Sequence, residues 1–131
     1  MNALLIDESS LYRSLIVEVL RFEGINVRVA DDAESVRAAL QESQFDLVFC
    51  ALYMDGIDSV SLIAKLRERF PSLRIVAIGR RSTSSDIQEK VLAETPFYLV
   101  RPFTIESTLR LVRDVVGLRK SRTTIRAANA V

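Results

Sequence analysis

The chain has 131 residues, 49% hydrophobic and 27% charged, with 18 Lys+Arg against 17 Asp+Glu. This length supports one hydrophobic core but not two, and the composition excludes an intrinsically disordered chain. A net charge of +1 gives no electrostatic drive toward nucleic acid or an anionic membrane, and no apolar run reaches the ~18 residues of a membrane span. The lone Cys50 cannot close an internal disulfide, and the absence of histidine rules out His-based triads and phosphotransfer from a histidine of this chain. With no signal pattern at the N-terminus, the expected compartment is the cytoplasm, and neither nucleic acid nor membrane is expected as a partner.

Short apolar runs alternate five times with segments of helical period, the rhythm of βα units building a parallel sheet. Residues 3–6 form the first strand, followed by Asp7-Glu8 and by Ser9-Ser10, which can cap a helix bearing Leu11, Leu15, Val19 and Phe22 and closed by Gly24. Residues 25–30 read as the second strand, and Asp31-Asp32 caps a helix with Val36 and Leu40 inward. Residues 47–50 are the third strand, with a helix over 58–70 that buries Leu62, Ile63 and Leu66 and stops at Pro71. Strand four covers 74–78 and leads through a Ser/Thr-rich loop to a helix with Ile87, Val91 and Leu92. Strand five covers 97–100, Pro102 breaks the chain, and Thr104 caps a last helix with Ile105, Leu109, Val112 and Val116 on one stripe. Residues 1–119 form the domain, and 120–131 (KSRTTIRAANAV) lose the pattern, as a tail or the start of a linker.

In an open parallel sheet, ligands bind beyond the carboxyl ends of the strands, where the strand order reverses. Five βα units predict the order 2-1-3-4-5, a flavodoxin-like α/β fold, with that point between strands one and three. The residues brought there are Asp7 and Glu8, Ala51, Gly79 and Arg80, and Arg101.

Three segments in register, LLIDES (4–9), DLVFCALYMDGIDS (46–59) and FYLVRPF (97–103), together with the separation of Gly79 from Arg101, resemble the receiver domains of two-component response regulators over residues 2–119. The resemblance assigns Asp7 and Glu8 to the acidic pair that helps hold Mg²⁺, and Tyr53 to the residue whose backbone carbonyl completes the metal shell. Ala51 falls where the family has its phosphate-accepting aspartate, and Gly79 where it has a Ser or Thr. Tyr98 matches the switch aromatic, Arg101 the lysine that pairs with the phosphoryl group, and Pro102 is in place.

Phosphoryl transfer needs a nucleophilic oxygen, and the methyl group of Ala51 offers none. Mg²⁺ requires a near-octahedral oxygen shell, so without the middle carboxylate no cofactor is expected beyond weak residual Mg²⁺ at Asp7 and Glu8. Arg101 can make paired bonds to carboxylates, and the expectation is that it reaches Asp7 or Glu8 in place of the metal. Asp58 reads as a helix N-cap and Asp55 as a solvent-facing loop residue, neither as a substitute acceptor. Cys50 reads as a packed small residue. A second apolar stripe on the last helix, Leu111, Val115 and Leu118, points to a partner face together with the fourth helix and the fifth strand.

The sequence therefore reads as a degenerate pseudo-receiver: a non-enzymatic, phosphorylation-independent protein-interaction module whose partners are a sensor kinase, another regulator or a second copy. Two alternatives are a phosphate-accepting receiver inactivated by an engineered change at position 51, and the N-terminal regulatory domain of a longer effector such as a transcription factor.

Overall fold

The computed structural model describes residues 1–120, and for 118–120 the backbone alone. The expected role of Leu118 and the tail proposed over 120–131 thus lie outside the described residues, apart from the backbone of Lys120, which continues the last helix. Ten elements alternate along the chain: β1 (Asn2–Ile6), α1 (Ser10–Phe22), β2 (Asn26–Ala30), α2 (Ala33–Glu42), β3 (Leu47–Ala51), α3 (Ser59–Arg69), β4 (Arg74–Arg80), α4 (Ser85–Leu92), β5 (Phe97–Arg101) and α5 (Ile105–Lys120). The five strands form one parallel sheet in the order β2-β1-β3-β4-β5, as the alternation predicts.

The central strands are buried on both faces, which is why they read as continuous apolar runs. Ala3 to Ile6 in β1, all of β3, and Ile75 to Gly79 in β4 are buried. The edge strands β2 and β5 are only half-buried. Register pairs Ile6 with Cys50, Ala51 with Ile78, Gly79 with Val100 and Arg80 with Arg101. The carboxyl ends of four strands therefore finish side by side. Strand β4 is two residues longer than the sequence suggests, ending at Arg80, so Gly79 lies within the sheet.

The helix starts follow their caps. The Asp32 side chain accepts from the Ser35 amide, and the Ser35 hydroxyl reciprocates toward the Asp32 amide. These bonds hold the Asp32 carboxyl below its usual range. Asp58 caps α3 through the Ser61 amide, and Thr104 accepts from the Ser107 amide ahead of α5.

Two helices dock on different stripes from those the apolar spacing suggests. In α1, Leu11 and Phe22 are 72% and 76% exposed, whereas Ile16, Val19 and Leu20 are buried and Tyr12 packs against the core. In α5, Ile105 is 54% exposed and the buried stripe is Thr108, Val112 and Val115. Thr108 can sit inside because its hydroxyl donates to the Thr104 carbonyl at 2.8 Å, which removes the cost of burying it. The assignment of Val115 to a partner face is therefore corrected: it is core, and Leu111 is partly buried against the same core. Val115→Ala is expected to lower unfolding stability by about 2 kcal/mol through the cavity it leaves, against less than about 0.5 kcal/mol for Ile105→Ala, as read from urea midpoints.

Cys50 is fully buried in β3. Burial pushes its thiol up to about 12 from an ordinary 9.0, with a hydrogen bond from Ser59 opposing and the negative charge of Asp7 adding to the shift. The native thiol stays neutral while the unfolded thiol ionises above pH 9, so its contribution to stability is intact below that pH and declines as pH rises toward 12. Denaturation at pH 7 and pH 10 is expected to show a larger alkaline loss in the native sequence than in Cys50→Ala, and the folded chain to resist thiol reagents at neutral pH.

Candidate functional site

The first residue after β1 is Asp7, whose amide donates to the Ala30 carbonyl of β2 at 3.2 Å. Its carboxylate is completely buried. One oxygen, Oδ1, accepts the Ser9 amide at 2.9 Å, and the other, Oδ2, is paired with Nη2 of Arg101. Ser9 occupies the N-cap position of α1 but makes no side-chain cap bond. Arg13, one turn into the helix, donates to the Asp7 main-chain carbonyl at 3.2 Å.

Arg101 ends β5 and reaches across the carboxyl edge of the sheet to Asp7, with its side chain only 16% exposed. Its guanidinium lies 4.7 Å from the centroid of the Tyr12 ring, and Tyr12 in turn packs on Phe103 at 4.8 Å between centroids. The cation is thus held between a carboxylate and an aromatic face, two environments that compensate for lost hydration. Among the described residues its Nε is buried without a hydrogen-bond partner, so a single bond from Nη2 and not a paired fork joins it to Asp7.

Ala51 is the last residue of β3 and 1% exposed. Its carbonyl accepts the Ser59 hydroxyl at 2.7 Å, tying the strand end to the first turn of α3. Glu8 is exposed at the rim, with Oε2 at 3.5 Å from the Asp55 amide. Over the β4 end, the Arg80 guanidinium stacks on the Tyr53 ring at 3.6 Å. The Tyr53 hydroxyl donates to Thr83 Oγ1 at 3.1 Å, and the same oxygen accepts the Arg80 amide at 2.9 Å. Tyr98 leans over Gly79: its hydroxyl lies 2.0 Å from where a Cβ of residue 79 would be.

The site residues expected from sequence fall into three groups. Asp7 and Arg101 are brought into contact, while Ala51, the last residue of β3, pairs with Ile78, next to Gly79 in β4. Tyr98 meets Gly79, and Glu8 stands apart from the buried pair at the rim. Tyr12, Ser59 and the Arg80–Tyr53–Thr83 cluster were not foreseen. An arginine and an aromatic at the mouths of adjacent strands were the available signal for the last of these.

These donors do not suit a divalent cation. Both Asp7 oxygens are engaged, position 51 has no ligand atom, and a guanidinium lies on the carboxylate that would bind the ion. Among the described residues no three acidic, His or Cys side chains converge as a metal site.

Residues 3–113 match the response regulator receiver domain family. The chain is a response regulator receiver domain. The DNA-binding transcriptional regulator NtrC of Proteus hauseri is 28% identical over 118 residues, covering 88% of this chain and 24% of NtrC. The probable transcriptional regulatory protein TcrX of Mycobacterium tuberculosis is 24% identical over 115 residues, covering 88% of this chain and 49% of TcrX. The receiver thus spans between a quarter and a half of the length of these curated relatives. A response regulator from Thermotoga maritima has the same fold, with a TM-score of 0.77 at 24% identity, covering 88% of this chain and 97% of that one.

The buried ion pair makes this receiver sensitive to loss of either partner. Removing one member of such a pair strands a charge in a desolvated site, at about 3–5 kcal/mol. Arg101→Ala is expected to destabilise by about this amount, and the Asp7→Ala/Arg101→Ala double variant by less than the sum of the two single changes. A double-mutant cycle from denaturant unfolding measures the coupling.

Proposed function

We propose that this receiver is a phosphorylation-independent protein-interaction module, a pseudo-receiver in two-component signalling. The observation that carries the reading is the Arg101–Asp7 ion pair beside Ala51: the nucleophile is missing, and the retained carboxylate is already neutralised by the protein's own cation. Without an attacking oxygen there is no aspartyl phosphate at position 51, and without free Asp7 oxygens there is little to recruit Mg²⁺. The domain is a signalling element, not an enzyme, and transmits through the surface it presents.

The partner face that suits this reading is formed by α4, β5 and α5. Leu92 and Val100 are 50% and 38% exposed there, and Leu111 stands at its margin, while Val115 is withdrawn from it. A sensor kinase, another regulator or a second copy of the chain are the partner classes. No described helix is long and apolar enough to cross a membrane, and the balanced charge gives no reason for this domain to bind nucleic acid.

A regulatory role at the start of a longer effector is compatible with this function and is favoured by the fraction of NtrC and TcrX that the receiver covers, 24% and 49%. In such an effector, contact with DNA would fall to the portion beyond these residues. A single engineered change at position 51 is disfavoured, because Gly79 and Arg101 have neighbours fitted to them: the Tyr98 ring fills the space beside one, and Asp7 neutralises the other.

Incubation with acetyl phosphate and Mg²⁺, read by intact mass, tests the reading. The native chain is expected to gain no phosphoryl group, and Ala51→Asp alone is expected to remain unmodified because Arg101 still holds Asp7. Uptake by the native chain would overturn the proposal. Uptake by Ala51→Asp alone would restore the engineered alternative.

A further inference from the structure

We infer that Gly79 is the seat that keeps the Tyr98 ring turned inward, the ring partly covered and its hydroxyl buried, giving the α4–β5 surface one fixed shape independent of the acidic pocket. Tyr98 and Gly79 lie on neighbouring strands, diagonally offset: Tyr98 pairs with Ala77, and Gly79 pairs with Val100. Since side chains two positions apart share a face, Tyr98 projects on the same side as Ala77 and as the missing side chain of residue 79. Ala77 is fully buried, so a small residue and a glycine in succession leave a trough of the depth an aromatic ring needs. A Cβ at position 79 would meet the Tyr98 hydroxyl at 2.0 Å, Cζ at 2.7 Å and Cε1 at 3.0 Å. Any residue other than glycine would force the ring away.

The Tyr98 hydroxyl is buried without a hydrogen-bond partner among the described residues. An orphaned hydroxyl favours the outward, hydrated position, so no polar bond holds the ring in; the fit of the ring to the space beside Gly79 does. This separates the ring from the pocket chemistry. Tyr98 and Arg101 are three positions apart on β5 and project from opposite faces. Arg101 engages Tyr12 and Asp7, while Tyr98 engages Gly79. Among the described residues the ion pair and the ring thus have different partners, Tyr12 and Asp7 for one and Gly79 for the other.

The inference rests on the proposed function only in taking this surface as the one partners meet. The test is NMR of the full chain with ring-labelled tyrosines. The three signals are assigned with Tyr12→Phe and Tyr53→Phe, and ring exposure is read with a soluble paramagnetic relaxation agent. In the native chain the Tyr98 ring is expected to be protected, with or without Mg²⁺. Gly79→Ala should abolish that protection, raising the relaxation effect several-fold while Tyr12 stays unchanged. Because Gly79→Ala can also weaken folding, thermal midpoints are compared in two backgrounds. The substitution should lower the midpoint when Tyr98 is present and have little effect in Tyr98→Ala. An exposed Tyr98 ring in the native chain, or an equal loss of midpoint in both backgrounds, would overturn the inference. No phosphoryl donor enters these measurements, so their failure is separate from failure of the proposed function.

Discussion

A carboxylate with no solvent exposure at the end of β1 has to be neutralised, and the arrangement of the pocket follows from how this chain does so. Asp7 lies where β1 passes into α1, fixed by a main-chain bond to β2, and the sheet order brings the end of β5 within reach of it through Arg101. A guanidinium is suited to this span because it tolerates partial burial and packs on an aromatic face, here that of Tyr12. A buried ion pair is weak evidence of net stabilisation, since desolvation offsets much of the attraction. Its effect is on conformation: each member confines the other, and the loops that carry them are confined with it.

The pocket departs from the resembled pattern at three positions, and the groups around two of them are in contact with one another. Ala51 removes a charge from a place where two carboxylates and a cation would need balancing by a second cation. Gly79 removes a side chain, and the space is taken by Tyr98. Arg101 brings a longer and more delocalised cation than the lysine of the resembled pattern. Each change makes sense of its neighbour, so the three positions are better understood as one packing solution than as separate losses.

The sheet was legible because its central strands are buried on both faces and announce themselves as apolar runs between Gly, Pro and capping residues. The caps at Asp32 and Asp58 were legible for the same local reason. The docking faces of α1 and α5 were not. Each helix carries more apolar residues than one stripe requires, and α5 hides a threonine in its buried stripe because the hydroxyl is satisfied one turn back. Periodicity alone therefore favoured Ile105 over Thr108, and assigned Val115 to the surface. In the site, the contact of Arg101 with an acidic partner was within reach, because opposite charges at the same carboxyl edge of one sheet attract, even with two strands between them. The Tyr98–Gly79 contact needed the register, although a glycine inside a strand is a recognised mark of close approach by another group.

The clasp of Arg80, Tyr53 and Thr83 joins two loops that leave different strands. Tyr53 belongs to the loop after β3, whereas Arg80 and Thr83 bracket the turn after β4, and the three are linked by a stack and two hydrogen bonds through a single threonine oxygen. A stacked cation and a shared acceptor resist shear better than either alone, because sliding one loop past the other breaks both at once. Tyr53 lies two residues past Ala51, so the loop leaving β3 is fastened near its start to the turn leaving β4, and whatever displaces one of them has to displace the other.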